Sequence, residues 1–272
     1  MSGIQVPKPG SVIAPDWLQT PEGRDYVTCI LRKKKRRTFG LIERPVLPPQ
    51  FPADVASYKI FVCGKSGVGK TSLVAKLCGL EVPIMHHETT GIQTSCVYWP
   101  VRPRDSVRPI IFAFQFWDCG ESALKKFDHI LPIVSPQACK ENADAVLFLF
   151  SFTDRSSFED VPALISRTLS QEEKVARVVI GTKLDQFMHT DVTEQDLRDF
   201  QQTWQLPIMR VRSVNGPRLT DGRSLDGRAE LADAAPVLNG LAEILWHRDQ
   251  ITAGLIDIGE SGSQEEMCAQ RS

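Results

Sequence analysis

Beyond residue 56 the chain alternates short apolar runs with stretches whose apolar residues recur at helical spacing. "SYKIFVCG" (57–64), "IIFAFQFW" (110–117), "DAVLFLFSF" (144–152), "ARVVIGTK" (176–183) and "LPIMRVRS" (206–213) read as strands. The unbroken apolar character of several of them implies a sheet covered on both faces. Between them "KTSLVAKLCG" (70–79), "DVPALISRTL" (160–169) and "TEQDLRDFQQTW" (193–204) read as helices, the last opened by a Thr193 cap. A final helix presents Leu231, Leu238, Leu241 and Leu245 on one face, which puts Pro236 in its first turn or at a kink. This alternation predicts one doubly wound α/β domain over 57–247. Residues 1–56 hold eight prolines and an LRKKKRR run with little sustained periodicity, and read as an extension outside the core fold. Residues 248–272, rich in Gly, Ser and acids, are expected to be a disordered tail.

Composition narrows the class. A chain of 272 residues, 42% hydrophobic and 24% charged, suits a soluble globular protein of one large or two small domains. Its 32 basic and 33 acidic residues nearly cancel, so no global field favours nucleic acid, and none is expected as a partner. No apolar stretch approaches the ~18 residues that span a bilayer, and the N-terminus lacks a signal peptide's apolar core. An intracellular protein is expected. The seven cysteines are odd in number and form no CxxC pair, against both a disulfide framework and a structural zinc site.

The most specific local signal is "GKSGVGKT", Gly64 to Thr71, which satisfies GxxxxGK[ST] between a predicted strand and a predicted helix. Gly64, Gly67 and Gly69 let the backbone wrap a phosphate, so that the N–H groups of the loop and helix start, with Ser66, Val68 and Ser72 among them, face the negative charge. Lys70 is placed to reach the β- and γ-phosphates, and the Thr71 hydroxyl to ligate Mg²⁺, a small hard cation that prefers oxygen. This predicts a P-loop nucleotide site.

"GTKLDQF" follows an apolar strand, so Thr182, Lys183 and Asp185 emerge at its C-terminal end, on the ligand-binding edge of such a sheet. A carboxylate there accepts from both the guanine N1–H and the exocyclic amine, whereas adenine would leave it unpaired. Buried polar pairing of that kind discriminates by roughly 10⁴ to 10⁵. "RSVNG" places Ser213 and Val214 after the next strand, where backbone N–H groups can meet the guanine O6 and Ser213 can support Asp185.

With these motifs the sequence resembles the Ras superfamily of small GTPases. The resemblance implies the G domain fold, a mostly parallel six-stranded sheet with helices on both faces, together with GTP/GDP and Mg²⁺ as ligands. The family usually has Asn where Thr182 stands. Thr89 of "HHETTG" lies 18 residues after Thr71, the family's spacing from the Mg²⁺-binding hydroxyl to the switch I threonine, so the resemblance makes Thr89 a second hydroxyl ligand. Loss of that bond with the γ-phosphate would release the segment from about Glu81 to Ile92. The family's switch II carries Asp, two residues, Gly, then Gln: the Asp holds Mg²⁺ through a water, the Gly N–H meets the γ-phosphate and the Gln orients the attacking water. Here "FWDCGES" has only Cys119 between Asp118 and Gly120, and Glu121 follows in the Gln place. Alongside Lys70, Glu121 is the candidate catalytic group, in a turn one residue short. Slow intrinsic hydrolysis is expected.

"TFGLIERPVLPP", "HHETTGIQT", "FWDCGESALKKFDHIL", "LFLFSFTDRSSFED" and "DGRSLDGRAELAD" look most like the Rab-like small GTPases of the ciliogenesis and planar polarity effector complex. That resemblance implies Fuzzy and Inturned as partners, a cytoplasmic and cytoskeletal location at the centriole or cilium basal body, and a role in cilium assembly, planar polarity and transport. Two other readings remain: a rapidly cycling GTPase dependent on an activating protein, and a P-loop phosphotransferase.

Three further features carry less. His86 and His87 lack acid or Cys partners at ligand spacing and read as partner contact or exposed surface. The run Arg32 to Arg37 is a nuclear signal, an anionic-lipid site, or the exposed tip of a hairpin, because its flanks "YVTCIL" and "TFGLIERPV" are β-rich. Cys268 stands five residues from the end where a CaaX box needs four, and Ser2 follows Met1, so no lipid anchor is expected and membrane contact is indirect or through the basic run.

Overall fold

The computed structural model describes residues 7–31, 47, 49–83, 85, 88–89, 91–120, 141–169, 174–212, 214–215 and 227–256. Helix α1 (Pro21–Leu31) precedes strand β1 (Asp54–Gly64), helix α2 (Lys70–Leu77), and strands β2 (Ile92–Val101) and β3 (Ile110–Cys119). Strand β4 (Ala145–Ser151), helices α3 (Arg155–Glu159) and α4 (Val161–Thr168), and strand β5 (Ala176–Thr182) follow. Helix α5 (Glu194–Trp204), strand β6 (Ile208–Arg210) and the long helix α6 (Gly227–Thr252) complete the order. The strands form one six-stranded sheet in the order β2-β3-β1-β4-β5-β6. β2 runs antiparallel to β3, and every other neighbouring pair is parallel.

The period of two along each strand divides the interior. Ile60 and Val62 of β1 join Leu147 and Leu149 of β4 beneath α2 and α6, through Leu73, Leu77, Leu238, Leu241 and Leu245. Phe61 and Cys63, one residue out of phase, join Phe148 and Phe150 beneath α3, α4 and α5, through Phe158, Ile165, Leu197 and Phe200. Helices on both faces are the reason β4 is buried at all seven positions, as its unbroken apolar sequence predicts.

The structure corrects the reading of the chain ends. The segment before α1 packs on the domain: Ile13 is 1% exposed, and its backbone bridges antiparallel to Pro103 just past β2. The "YVTCIL" flank of the basic run is helix, not hairpin strand. Thr20 accepts from the Gly23 N–H (3.1 Å), and Pro21 stands at the first helical position, where its missing N–H costs nothing. The basic run Arg32 to Arg37 and its other flank lie outside the described residues. β1 begins at Asp54, before the expected limit of 57. α6 continues to Thr252, so residues 248–252, expected in the tail, are helical and tied down by Arg248 to Asp144 (2.7 Å). Pro236 lies inside α6 beyond its first turn, and both it and Ala232, whose carbonyl loses its helical donor, are exposed. β2 was not foreseen from its pattern. Thr94, Ser95 and Cys96 break the apolar run, and Pro100 is tolerated because β2 is an edge strand.

Candidate functional site

β1, β3, β4 and β5 all end on one edge of the sheet, and the predicted site residues that the structure describes follow or adjoin those ends. The loop from Gly64 turns through Gly67 (φ +79°) and Gly69 (φ +96°), left-handed values that a side chain would strain, and delivers Lys70 as the first residue of α2. Lys70 is buried, and its Nζ donates across the loop to the carbonyls of Gly64 (2.9 Å) and Lys65 (3.0 Å). Val68 anchors the turn at 1% exposure; Ser66 and Ser72 lie on either side of it, exposed and half-buried respectively. Lys65 donates to Ser156 Oγ (2.7 Å), fastening the loop to α3.

Three oxygens from three elements meet at the start of α2. Thr71 Oγ1 donates to Asp118 Oδ2 (2.6 Å) and lies 2.9 Å from Thr89 Oγ1, so with its proton given to Asp118 the second contact is a donation from Thr89. Asp118 is 1% exposed, and its Oδ1 finds no hydrogen-bond partner among the described residues. Burial raises its pKa from the usual carboxylate value, opposed by the Thr71 hydrogen bond and the Lys70 charge. A buried carboxylate with a spare lone pair beside two hydroxyls is a hard oxygen set, and it fits Mg²⁺. Elsewhere among the described residues no group of three or more His, Cys, Asp or Glu is placed to hold a metal.

At the other side of the loop Thr182 ends β5, fully buried. Its hydroxyl donates to the Val68 carbonyl and to the Phe150 carbonyl (3.0 Å), bracing the glycine-rich loop against β4. Lys183 follows with a left-handed backbone (φ 58°), and Asp185 sits half-buried in the 3-10 turn Leu184–His189. Val214 is 45% exposed, and its carbonyl accepts from Lys76 Nζ (3.1 Å).

The switch turn departs from expectation. The Gly120 N–H, expected to face a γ-phosphate, donates to the Gly91 carbonyl (3.2 Å). Ile92 pairs with Cys119, so the glycine one residue on simply takes the next rung of the β2–β3 ladder. One intervening residue does not carry it clear of the sheet. A Cβ at Gly120 would fall 1.9 Å from the Thr89 carbonyl, so only glycine lets these two segments touch. Glu121, Ser213, His86 and His87 lie outside the described residues.

A Ras family model matches residues 59–216, from β1 to the loop after β6. The chain belongs to the Ras family. Guanine-nucleotide binding is what that membership implies for the edge just described. The chain is 75% identical to ciliogenesis and planar polarity effector 2 of Xenopus tropicalis, over 94% of this chain and 98% of that one. It is 63% identical to the Homo sapiens protein of the same name, over 92% and 95%. The Danio rerio protein matches at 48%, over 96% and 97%. The structure also brings in residues that the motifs do not single out: Lys76, Val82 and Asn215. Asn215 stands in the quoted "RSVNG" directly after Val214, but an asparagine after a strand announces nothing by itself.

Proposed function

We propose that this chain is a GTP-binding switch subunit whose Mg²⁺–GTP form engages ciliogenesis and planar polarity effectors, Fuzzy and Inturned, at the basal body, in support of cilium assembly and targeted transport. The observation that carries the reading is the meeting of Thr71, Thr89 and Asp118 at one point, because Thr71 stands in a helix and Asp118 in a strand, whereas Thr89 lies on the connection between Val82 and Gly91, where a γ-phosphate would be reported. The names borne by relatives of up to 77% identity support the cellular role.

Each residue has a separable task. The loop 64–71 turns its N–H groups toward phosphate, and Lys70 exchanges two backbone carbonyls for phosphate oxygens of higher charge. Asp185 accepts from the guanine N1–H and amine. Thr182 holds the Val68 carbonyl back, so that the loop keeps its shape. Mg²⁺, when bound, neutralises charge on the β- and γ-phosphates. In this reading Thr71 and Thr89 would hold it, with Asp118 assisting through a water.

Hydrolysis is slow in this reading for two reasons. The Gly120 N–H is engaged by Gly91, and Glu121 brings a carboxylate where an amide would orient the water. At ~4 Å from a phosphate charge it is opposed by ~4 kcal/mol at an effective dielectric near 20. The test is to purify the full chain, identify the copurifying nucleotide and titrate GTP against ATP with and without Mg²⁺. Selective, Mg²⁺-dependent GTP binding is the expected result, and equal affinity for the two nucleotides overturns the reading.

A further inference from the structure

The Asn215 side chain uses both halves of its amide on one residue. Oδ1 accepts the Val82 N–H at 2.8 Å, and Nδ2 donates to the Val82 carbonyl at 2.9 Å. This reproduces strand pairing with a side chain, and a flipped amide would set donor against donor and acceptor against acceptor. Val82 is 6% exposed and stands seven residues before Thr89, at the root of the segment expected to switch. Asn215 follows Val214, on the loop assigned to the base.

That loop is held from a second side. Lys76 of α2, its side chain 6% exposed, donates to the Val214 carbonyl (3.1 Å) and pairs with Asp233 of α6 (3.3 Å). The helix that opens with Lys70 and Thr71, assigned to phosphate and to Mg²⁺, is thereby fastened to the loop assigned to the base. The segment between Val82 and Gly91 is pinned at both ends, by Asn215 at the first and by the Gly120 N–H at the second. Thr89 lies between the pins.

We propose that Asn215 is a positioning residue that couples the base-binding loop to switch I, so that a base held in the site also holds Thr89 in reach of the metal. The inference rests on the nucleotide reading of the site. A bound base orders the loop, the loop orders Val82, and Val82 shortens the free length of chain that carries Thr89. Release of nucleotide then requires the pair of hydrogen bonds to open.

The experiment follows release of a fluorescent, non-hydrolysable GTP analogue from the full chain in Mg²⁺. Asn215→Ala is expected to speed release about tenfold, the effect of losing roughly 1.4 kcal/mol. Asn215→Asp keeps the shape and the acceptor but turns a carboxylate oxygen on the Val82 carbonyl, and is expected to be at least as fast. Should the alanine variant fold poorly by thermal melting, the isosteric Asp variant carries the comparison. Thr89→Ala combined with Asn215→Ala distinguishes coupling from mere loosening: if both act through one segment, the double variant is no faster than the faster single one. Multiplying rate effects overturn the coupling, and wild-type release from both Asn215 variants overturns the clasp while leaving the nucleotide reading intact. A wild-type chain that fails to retain the analogue overturns the nucleotide reading itself, and this inference with it.

Discussion

Thr182 has one proton to give, and gives it to the carbonyls of Val68 and Phe150. The motif places Thr182 at the candidate site, yet its bond to the glycine-rich loop spans 114 residues of sequence and has no local signature. The loop is the opposite case. Its glycines, Lys70 and Thr71 lie in eight consecutive residues, and their roles follow from spacing alone. Thr182→Val is expected to speed nucleotide release about fivefold, since a net hydrogen bond contributes about 1 kcal/mol, while Thr182→Ser restores the wild-type rate. Stopped-flow release measures both, and a slow Val variant would show that the brace does not govern the loop. Asp185 argues by complementarity instead. Asp185→Asn is expected to move preference from guanine towards xanthine, because the amide donates where the carboxylate only accepted, and competition between GTP and XTP reads the change.

Elements were legible where their signals are local. Thr193 Oγ1 caps α5 by accepting the Asp196 N–H, and the Asp196 carboxylate accepts the Thr193 N–H in return, a capping box of which the Thr193 half is legible in the sequence. Thr193→Ala is expected to cost about 1 kcal/mol in urea unfolding with nucleotide binding unchanged. α1 was misread because the β-branched and aromatic character of "YVTCIL" outweighed the short start signal of Thr20, Pro21 and Glu22, and tertiary packing of Tyr26 against Trp17 and Phe51 decided for helix. β2 escaped because an edge strand with polar and proline positions resembles a loop. The switch turn is an element-scale matter too, since its register with β2 fixes where Gly120 points. Glu121→Gln alone is expected to raise hydrolysis little, because the glycine stays in the ladder. Inserting Ala after Cys119 together with Glu121→Gln is expected to raise it more, by letting Gly120 leave Gly91. Single-turnover phosphate release without partners decides, and full rescue by the single substitution would place the defect in charge, not spacing.

At the scale of the molecule, the N-terminal segment is fastened by a residue more than 200 positions away. Glu243 of α6, 5% exposed, accepts from the Ser11 hydroxyl (3.3 Å) and from the N–H groups of Val12 and Ile13. Ala14 and Arg104 then pair with Arg102 and Val12 to complete the bridge past β2. No pattern within residues 1–56 announces a partner that distant, which is why proline content and missing periodicity made the segment look detached. The position of the bridge has a functional consequence. It adjoins the end of β2 that pairs with Ile110, whereas the candidate site adjoins the end that pairs with Cys119, and ten residues of strand separate them by about 34 Å. Glu243→Ala strands two buried N–H groups at about 1–3 kcal/mol each, less whatever water recovers. The variant is therefore expected to lose about 2 kcal/mol or more in urea unfolding while releasing nucleotide at the wild-type rate. Ile13→Ala acts on the same strap, so the pair should cost less together than the sum of each alone. Additive losses would mean that Glu243 stabilises α6 independently of the strap, and faster release in the Glu243 variant would mean that the strap reaches the nucleotide edge through the length of the sheet.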